Sequence, residues 1–309
     1  MESIVPPGHE FREVLERDRP DVLLLTPLLY FGSQQVDFVR SARLLGIPSV
    51  LGVGSWDHLT TKGAIHEIPD HVVVWNEEQR REAAELHEVP MDRVKVTGAQ
   101  AYDRWFNRRP STSWRSFCDK VSLPLDRPLL LYVCSSPFIA PNEVGLVRSW
   151  VKELRSSPYQ KLRTAGLLIR PHPQNAEQWR DESLLAGIEN VTIWPRHGAN
   201  PVAQEARADY FDSMYYSAAV VGVNTSALIE SGVIGRSVYT ILTDEFSGTQ
   251  EETLHFQHLK TVNGGLLHVA SNLREHAEQL ARHTWTNADP KSLAFVKAFV
   301  RPNGLNTPA

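Results

Sequence analysis

Cysteine is nearly absent from the 309 residues, which contain only Cys118 and Cys134. Two thiols cannot build a disulfide framework, and their scarcity fits a reducing, cytoplasmic compartment. Charge of one sign is not in excess either. Thirty-two Lys and Arg stand against 36 Asp and Glu, for a formal net charge of −4, where a dedicated nucleic-acid binder would usually be basic. No apolar run approaches the roughly 20 residues a bilayer-spanning helix needs, and Leu129–Cys134 is only strand-sized. The opening Met1 to Gly8 has neither the basic stretch nor the apolar stretch of a leader, so no signal peptide is expected. Tandem repeats and low-complexity segments are missing. So are a Walker loop, a Gly-x-Gly-x-x-Gly turn and a Gly-x-Ser-x-Gly elbow. No His-x-x-x-His or Cys-x-x-Cys spacing with supporting ligands is present, and no metal is expected.

What remains is an ordinary globular composition, 42% hydrophobic and 22% charged, long enough for about two domains. Short apolar runs alternate with helical stretches. Asp21–Thr26, Ile47–Val53, His71–Trp75 and Val94–Thr97 read as strands. They are continuously apolar rather than alternating, the mark of strands covered on both faces of a parallel sheet. Between them, Ser33–Leu45 and Asn76–His87 read as helices, with Asn76 as the N-cap. A loop rich in Pro, Ser and charge covers Asn107–Asp126, with a short helix inside it over Trp114–Val121. A second series follows, with strands at Pro128–Cys134, Leu167–Arg170, Val191–Trp194, Ala218–Val223, Ser237–Leu242 and briefly His268–Val269. Its helices are Glu143–Leu154, Thr225–Ile234, Leu273–His283 and Lys291–Phe299. The pattern predicts an α/β protein with two parallel-sheet domains.

Several polar loops follow strands, and strand carboxyl ends are where such sheets bind ligands. Asn224-Thr225-Ser226 precedes a helix, whose first N–H groups and dipole favour an anion. Taken alone, Asn224 or Thr225 reads first as a simple N-cap. Glu230 lies one and a half turns on, within reach of sugar hydroxyls or simply solvated. Gly235 suits the position just past that helix. Arg170-Pro171-His172-Pro173 offers a guanidinium fork and an imidazole that titrates near neutrality on a proline-stiffened loop; otherwise it is a turn with a surface histidine. Ser135 and Ser136 form a small hydroxyl loop after the first strand of the second series. Thr249 and His255 sit in the polar stretch Gly248–Phe256 and could line the same cleft. In the first half, Asp57 and His58 follow a strand beside Trp56. They could supply a general base, with Trp56 stacking on a sugar; the alternative is that Asp57 caps a turn.

In this order, Arg170-Pro171-His172-Pro173, Asn224-Thr225-Ser226-Ala227-Leu228-Ile229-Glu230 and Gly235-Arg236-Ser237-Val238 resemble the C-terminal domain of GT-B-fold glycosyltransferases. Within that superfamily the chain is most similar to the CDP-glycerol glycerophosphotransferase and capsular-polysaccharide transferase group. The nonhydrolysing UDP-N-acetylglucosamine 2-epimerases share the architecture. The resemblance implies two Rossmann-like domains facing a cleft: a shortened acceptor-side domain over 1–110, a linker over 111–126, a nucleotide-donor domain over 127–285, and a closing helix and tail over 286–309. It implies a transferase that moves a glycosyl or polyol-phosphate group from a nucleoside-diphosphate donor to a cell-surface carbohydrate or polyol-phosphate acceptor. Such an enzyme has no permanent cofactor, metal or nucleic-acid partner, and it works in the cytoplasm or at the inner face of the membrane. Arg170 and His172 would contact donor phosphate. Asn224, Thr225 and Ser226 would hold the diphosphate, with Ser135, Ser136, Thr249 and His255 around it. Glu230 would bind ribose or sugar hydroxyls, His172 would assist catalysis, and Asp57 or His58 would serve as base. A UDP-sugar 2-epimerase and a noncatalytic nucleotide- or partner-binding module are the alternatives.

Overall fold

A computed structural model describes residues 8–30, 32–283 and 288–309. Residues 1–7, on which the reading of the N-terminus rests, lie outside them, as do the first two residues of the 286–309 segment. The chain divides into two compact units, Met1–Asp103 with Lys297–Ala309, and Arg104–Val296.

The first unit is built on four parallel strands, β1 (Leu23–Leu25), β2 (Ser49–Gly52), β3 (His71–Val74) and β4 (Val94–Val96), side by side in chain order. Helices α1 (His9–Asp18), α2 (Gln35–Leu45) and α3 (Glu77–His87) accompany them. Val39 of α2 and Ala83 of α3 pack with Leu51, Val72, Val74 and Val94 of the strands in one apolar core. Asn76 caps α3 as its sequence position suggests, its side chain accepting the Gln79 N–H at 3.0 Å. Its Nδ2 donates to the Phe299 carbonyl (2.8 Å), and the Arg301 guanidinium pairs with Asp103 (2.6 Å). These two bonds tie the end of the chain into this unit.

The second unit opens with α4 (Trp114–Val121), inside the stretch expected as a linker. Its Phe117, Cys118 and Val121 are buried, and Trp114 and Phe117 pack on Tyr216 at ring distances of 5.5 and 5.3 Å. Six parallel strands follow: β5 (Leu129–Val133), β6 (Gly166–Arg170), β7 (Val191–Ile193), β8 (Ala219–Val221), β9 (Ser237–Ile241) and β10 (Leu267–Ala270), ordered β10-β9-β8-β5-β6-β7. The chain first steps outward from β5 to β6 and β7. It then returns to the other side of β5 to lay down β8, β9 and β10. The sheet therefore reverses direction at β5, where the β6 and β8 connections leave towards opposite sides. Every residue of β5, β6, β8 and β9 is buried, as continuous apolar runs in a covered parallel sheet require. Helices α5 (Glu143–Ser156), α6 (Gln204–Tyr215), α7 (Ser226–Val233), α8 (Leu254–Thr261), α9 (Leu273–Arg282) and α10 (Pro290–Phe299) complete the chain. Trp150, Trp179, Tyr132, Leu167 and Leu280 share the main core.

The predicted α/β class with two Rossmann-like parallel-sheet domains is the observed one. Each strand read from the sequence is present within a few residues of its expected ends. Helices α1, α6 and α8 were not expected.

Candidate functional site

The carboxyl ends of β5 and β6, the loop before α6, α6 itself and the start of α7 enclose a cleft of about 320 Å3. It lies at the reversal of the second sheet, where the loops of adjacent strands separate and leave a crevice. Two glycines permit its close packing. A Cβ on Gly222 would stand 2.9 Å from the Val133 carbonyl oxygen, and one on Gly198 would stand 2.9 Å from Pro173 Cα. Gly198 also has a φ of +67°, which a side chain would strain. It turns the 199–201 segment over the His172 loop.

Of the residues singled out in the sequence, Arg170, His172, Thr225, Ser226 and Glu230 line this cleft. Arg170 ends β6 and is almost fully buried. Its Nη1 donates to Asp209 (2.8 Å) and to Ser213 (2.8 Å), and its guanidinium lies 5.2 Å above the Tyr210 ring. Its Nη2 is buried without a hydrogen-bond partner, an unusual state for a charged donor. Asp209 also accepts from Trp194 Nε1 (3.1 Å) and pairs with Lys120 (2.5 Å). Burial alone would raise its pKa, but Arg170, Lys120 and Trp194 together hold it below the ordinary carboxylate range.

His172 is half-buried and caps the following 3-10 turn, its Nδ1 accepting the Gln174 N–H at 3.2 Å. An accepting Nδ1 leaves the proton on Nε2, and burial lowers the pKa. His172 is thus a neutral imidazole whose remaining N–H is a donor. Thr225 is the N-cap of α7, its Oγ1 accepting the Ala227 N–H at 3.4 Å. Capping and cleft-lining coexist in this residue, while Ser226 is exposed. On the same helix Glu230 is partly exposed to the cleft yet closely surrounded by protein. Burial raises its pKa to about 7, against the lowering effects of the Tyr210 hydroxyl and the Arg104 charge. Tyr210 donates to Glu230 Oε2 at 2.5 Å.

Ser135, Asn224, Thr249 and His255 are not on the cleft lining. They knit the loops behind it. Asn224 is buried, its N–H donating to Ser135 Oγ (3.4 Å), its Nδ2 to the Thr249 carbonyl (2.5 Å) and within 3.2 Å of His255 Nε2. Thr249 Oγ1 donates to the Ile139 carbonyl (2.8 Å). The Ser136 carbonyl accepts from the Ile139 and Ala140 N–H groups (3.0 Å each). Buried Glu143 anchors the same loop, accepting the Ser135 N–H (2.7 Å) and the Tyr132 hydroxyl (3.1 Å). Burial pushes its pKa up to about 8 despite these bonds.

In the first unit, Asp57 precedes a short helix over His58–Thr61. It accepts from Ser55 Oγ (2.5 Å) and Thr61 Oγ1 (3.1 Å) and stands 3.4 Å from Lys62 Nζ. His58 is buried, its Nδ1 accepting the Gly54 N–H (3.2 Å), and burial lowers its pKa. Trp56 is buried too.

The sequence reading missed Tyr210 and Asp209, both on α6. The buried face of that helix carries Asp209, Asp212 and Ser213 beside Phe211 and Met214, so no apolar stripe marked it. Tyr210 would have been suggested only by an aromatic residue set between Asp209 and Asp212, a weak signal.

No known protein-family profile matches the chain, and no curated protein sequence matches it. Solved structures do. A UDP-GlcNAc 2-epimerase from Neisseria meningitidis, bound to UDP-GlcNAc, overlaps 96% of this chain and 76% of its own at a TM-score of 0.57 and 16% identity. A putative UDP-N-acetylglucosamine 2-epimerase from Listeria monocytogenes overlaps 96% and 75% at 0.58 and 12% identity. The UDP-GlcNAc 2-epimerase of Methanocaldococcus jannaschii overlaps 92% and 77% at 0.55 and 15% identity. Among the described residues no helix is long and apolar enough to cross a membrane. At these identities the likeness is one of fold: two Rossmann-like α/β units, each built on a parallel sheet.

Proposed function

We propose that the cleft of the second unit binds the diphosphate of a nucleotide-activated sugar or polyol. On this reading the chain is a GT-B-like transferase that passes a glycosyl or polyol-phosphate group to a carbohydrate acceptor, as the CDP-glycerol and capsular-polysaccharide transferases do. One observation carries the reading. The N-terminus of α7 with its two hydroxyls, the Arg170 guanidinium, the His172 imidazole and Glu230 all face one cavity at the sheet reversal. This set suits a phosphate chain joined to a hydroxyl-rich group.

In the transfer, the acceptor oxygen bonds to the anomeric carbon or to phosphorus. The bond to the nucleotide oxygen breaks, and the nucleotide leaves with the electron pair. Fixed donors stabilise that developing charge, and the His172 Nε2–H and the helix terminus are the donors proposed. Glu230 accepts or donates to a ribose or sugar hydroxyl. The acceptor hydroxyl gives up its proton to solvent as the new bond forms.

A second reading, a UDP-sugar 2-epimerase, is favoured by the fold likeness to such enzymes over nearly the whole chain. It also fits a carboxyl group titrating near neutrality in the cleft, which suits proton transfer beside a sugar carbon.

Calorimetric titration with CDP, UDP, GDP, ADP, CDP-glycerol and UDP-GlcNAc tests the shared part. Base-selective binding is expected, weakened about tenfold or more in His172→Ala, the usual effect of losing a hydrogen bond to a charged group. Folded protein that binds none of these overturns both readings. Product formation only with an added carbohydrate acceptor supports the transferase. Interconversion of UDP-GlcNAc at C2 without an acceptor supports the epimerase.

A further inference from the structure

At the far edge of the second sheet, three side chains from three elements converge. His268 lies on β10, directly opposite Tyr239 of β9 in the strand register. His283 follows the end of α9, and Asp289 immediately precedes α10. One ligand atom from each lies within 4.8 Å of the other two. His268 Nε2 is 2.7 Å from Asp289 Oδ2, and His283 Nε2 is 4.0 Å from the same oxygen.

We propose that His268, His283 and Asp289 form a site for a divalent transition ion of the zinc class. Two imidazoles and one carboxylate are the donors such an ion selects. With bonds of about 2.0–2.2 Å, tetrahedral ligands stand roughly 3.3 Å apart. That spacing falls between the two distances found, so a small rotation of the Asp289 carboxylate opens one and closes the other. The histidines are 27% and 21% exposed at their side chains, which leaves a path for the ion. Lys291 is the nearby cation that would oppose it, but its Nζ is turned to the Leu267 carbonyl (2.5 Å).

A second observation points the same way. Tyr239 stacks on His268 at 4.7 Å and meets His283 edge-on at 6.1 Å. Its hydroxyl is fully buried with no hydrogen-bond partner, beside the Asp289 charge that helps raise its pKa after burial itself. A water completing the ion's coordination gives that hydroxyl a partner. Ser237 Oγ, 3.2 Å from His283 Nε2, holds the hydrogen-bonding position at that nitrogen and turns away when the ion takes it.

The site is structural. Ser237 is the first residue of β9 and His268 the second of β10, so it lies towards the amino ends of the strands, opposite the carboxyl edge that bears the cleft. The ion clasps the β9–β10 edge to the end of α9 and the start of α10. Local spacing could not reveal it, because strand pairing and helix packing alone bring the three ligands together.

The test is equilibrium dialysis of the full chain, stripped of metal, against Zn2+ at neutral pH, with Co2+ absorption as the geometric probe. One tightly held equivalent and the visible bands of tetrahedral Co2+ are expected. Affinity should fall by at least about tenfold, the lower range for disturbing a metal site, in His283→Ala and His268→Gln, with native circular dichroism. No retention by folded wild type, retention spread over several weak sites, or undiminished binding in the variants overturns the proposal. Should a variant not fold, Zn2+ protection of His268 and His283 from diethyl pyrocarbonate in the wild type decides, and lack of protection overturns it.

Discussion

The two units are built from the same parts and treat their polar residues differently. In the first, four parallel strands run in chain order, and every crossover steps the same way. In the second, the order reverses at β5. Both place polar residues after strands. In the first unit Asp57 is bonded to Ser55 and Thr61, and His58 is buried against Gly54. In the second, Arg170, His172, Thr225, Ser226 and Glu230 open onto a cavity. Residue type at a strand end does not decide whether a group faces a ligand-sized space. The direction in which neighbouring connections leave the sheet does, because diverging loops leave a gap that parallel ones fill.

The largest test of this contrast is Asp209→Ala. It strands the buried Arg170 guanidinium, and removing one partner of a buried pair costs about 3–5 kcal/mol. Urea denaturation should show that loss together with failure to bind nucleotide. Asp57→Ala, the matching carboxylate in the first unit, should cost about 1 kcal/mol or less, as for partly exposed pairs. Equal losses would erase the distinction.

Next comes Glu143. Its folded pKa of about 8 lies above the ordinary value of 4.5, so the native state holds its proton where the unfolded chain releases it. That contribution is fully present below the unfolded pKa and is lost as pH rises through the folded one. Stability measured between pH 5 and 9 should therefore fall with pH in the wild type. In Glu143→Gln that decline should be reduced to the share contributed by other groups such as Glu230, and a decline as steep as the wild type's would contradict the assignment.

Asn224→Ala separates the cleft from the loops behind it. Leaving its buried partners unsatisfied costs about 1–3 kcal/mol, visible in thermal melts, and nucleotide affinity should fall with it because the loops around the cleft loosen. The smallest change in stability belongs to His172→Ala, about 1 kcal/mol or less for one lost cap. Yet nucleotide affinity should still fall about tenfold or more, without the stability loss that accompanies Asp209→Ala. If Asn224→Ala weakened binding without touching stability, the two roles would be exchanged.

Much of this was legible in the sequence because it is local. Continuous apolar runs such as Leu129–Cys134 announce strands covered on both faces, Asn76 announces a helix start, and Gly235 announces a helix end. A polar loop between a buried strand and a helix marks Thr225 and Ser226 without any structure. What was hidden depended on partners far away in the chain. Helix α6 turns Asp209, Asp212 and Ser213 inward, and those residues look like solvent-facing ones until Arg170 and Ser111 are seen to bind them. Asn224 and His255 carry the residue types of a ligand site but hydrogen-bond each other.

The sequence by itself therefore determined the class of fold, the strands and most helices, since these follow from apolar periodicity and backbone preference within short windows. The tertiary structure alone decided the order of the strands, and with it the reversal at β5. It also decided which polar side chains face the cleft and which satisfy one another, and that His268, His283 and Asp289 meet. Those outcomes depend on which distant groups are left to share a low-dielectric interior, where each buried polar atom must find a partner, and no short stretch of sequence contains that information.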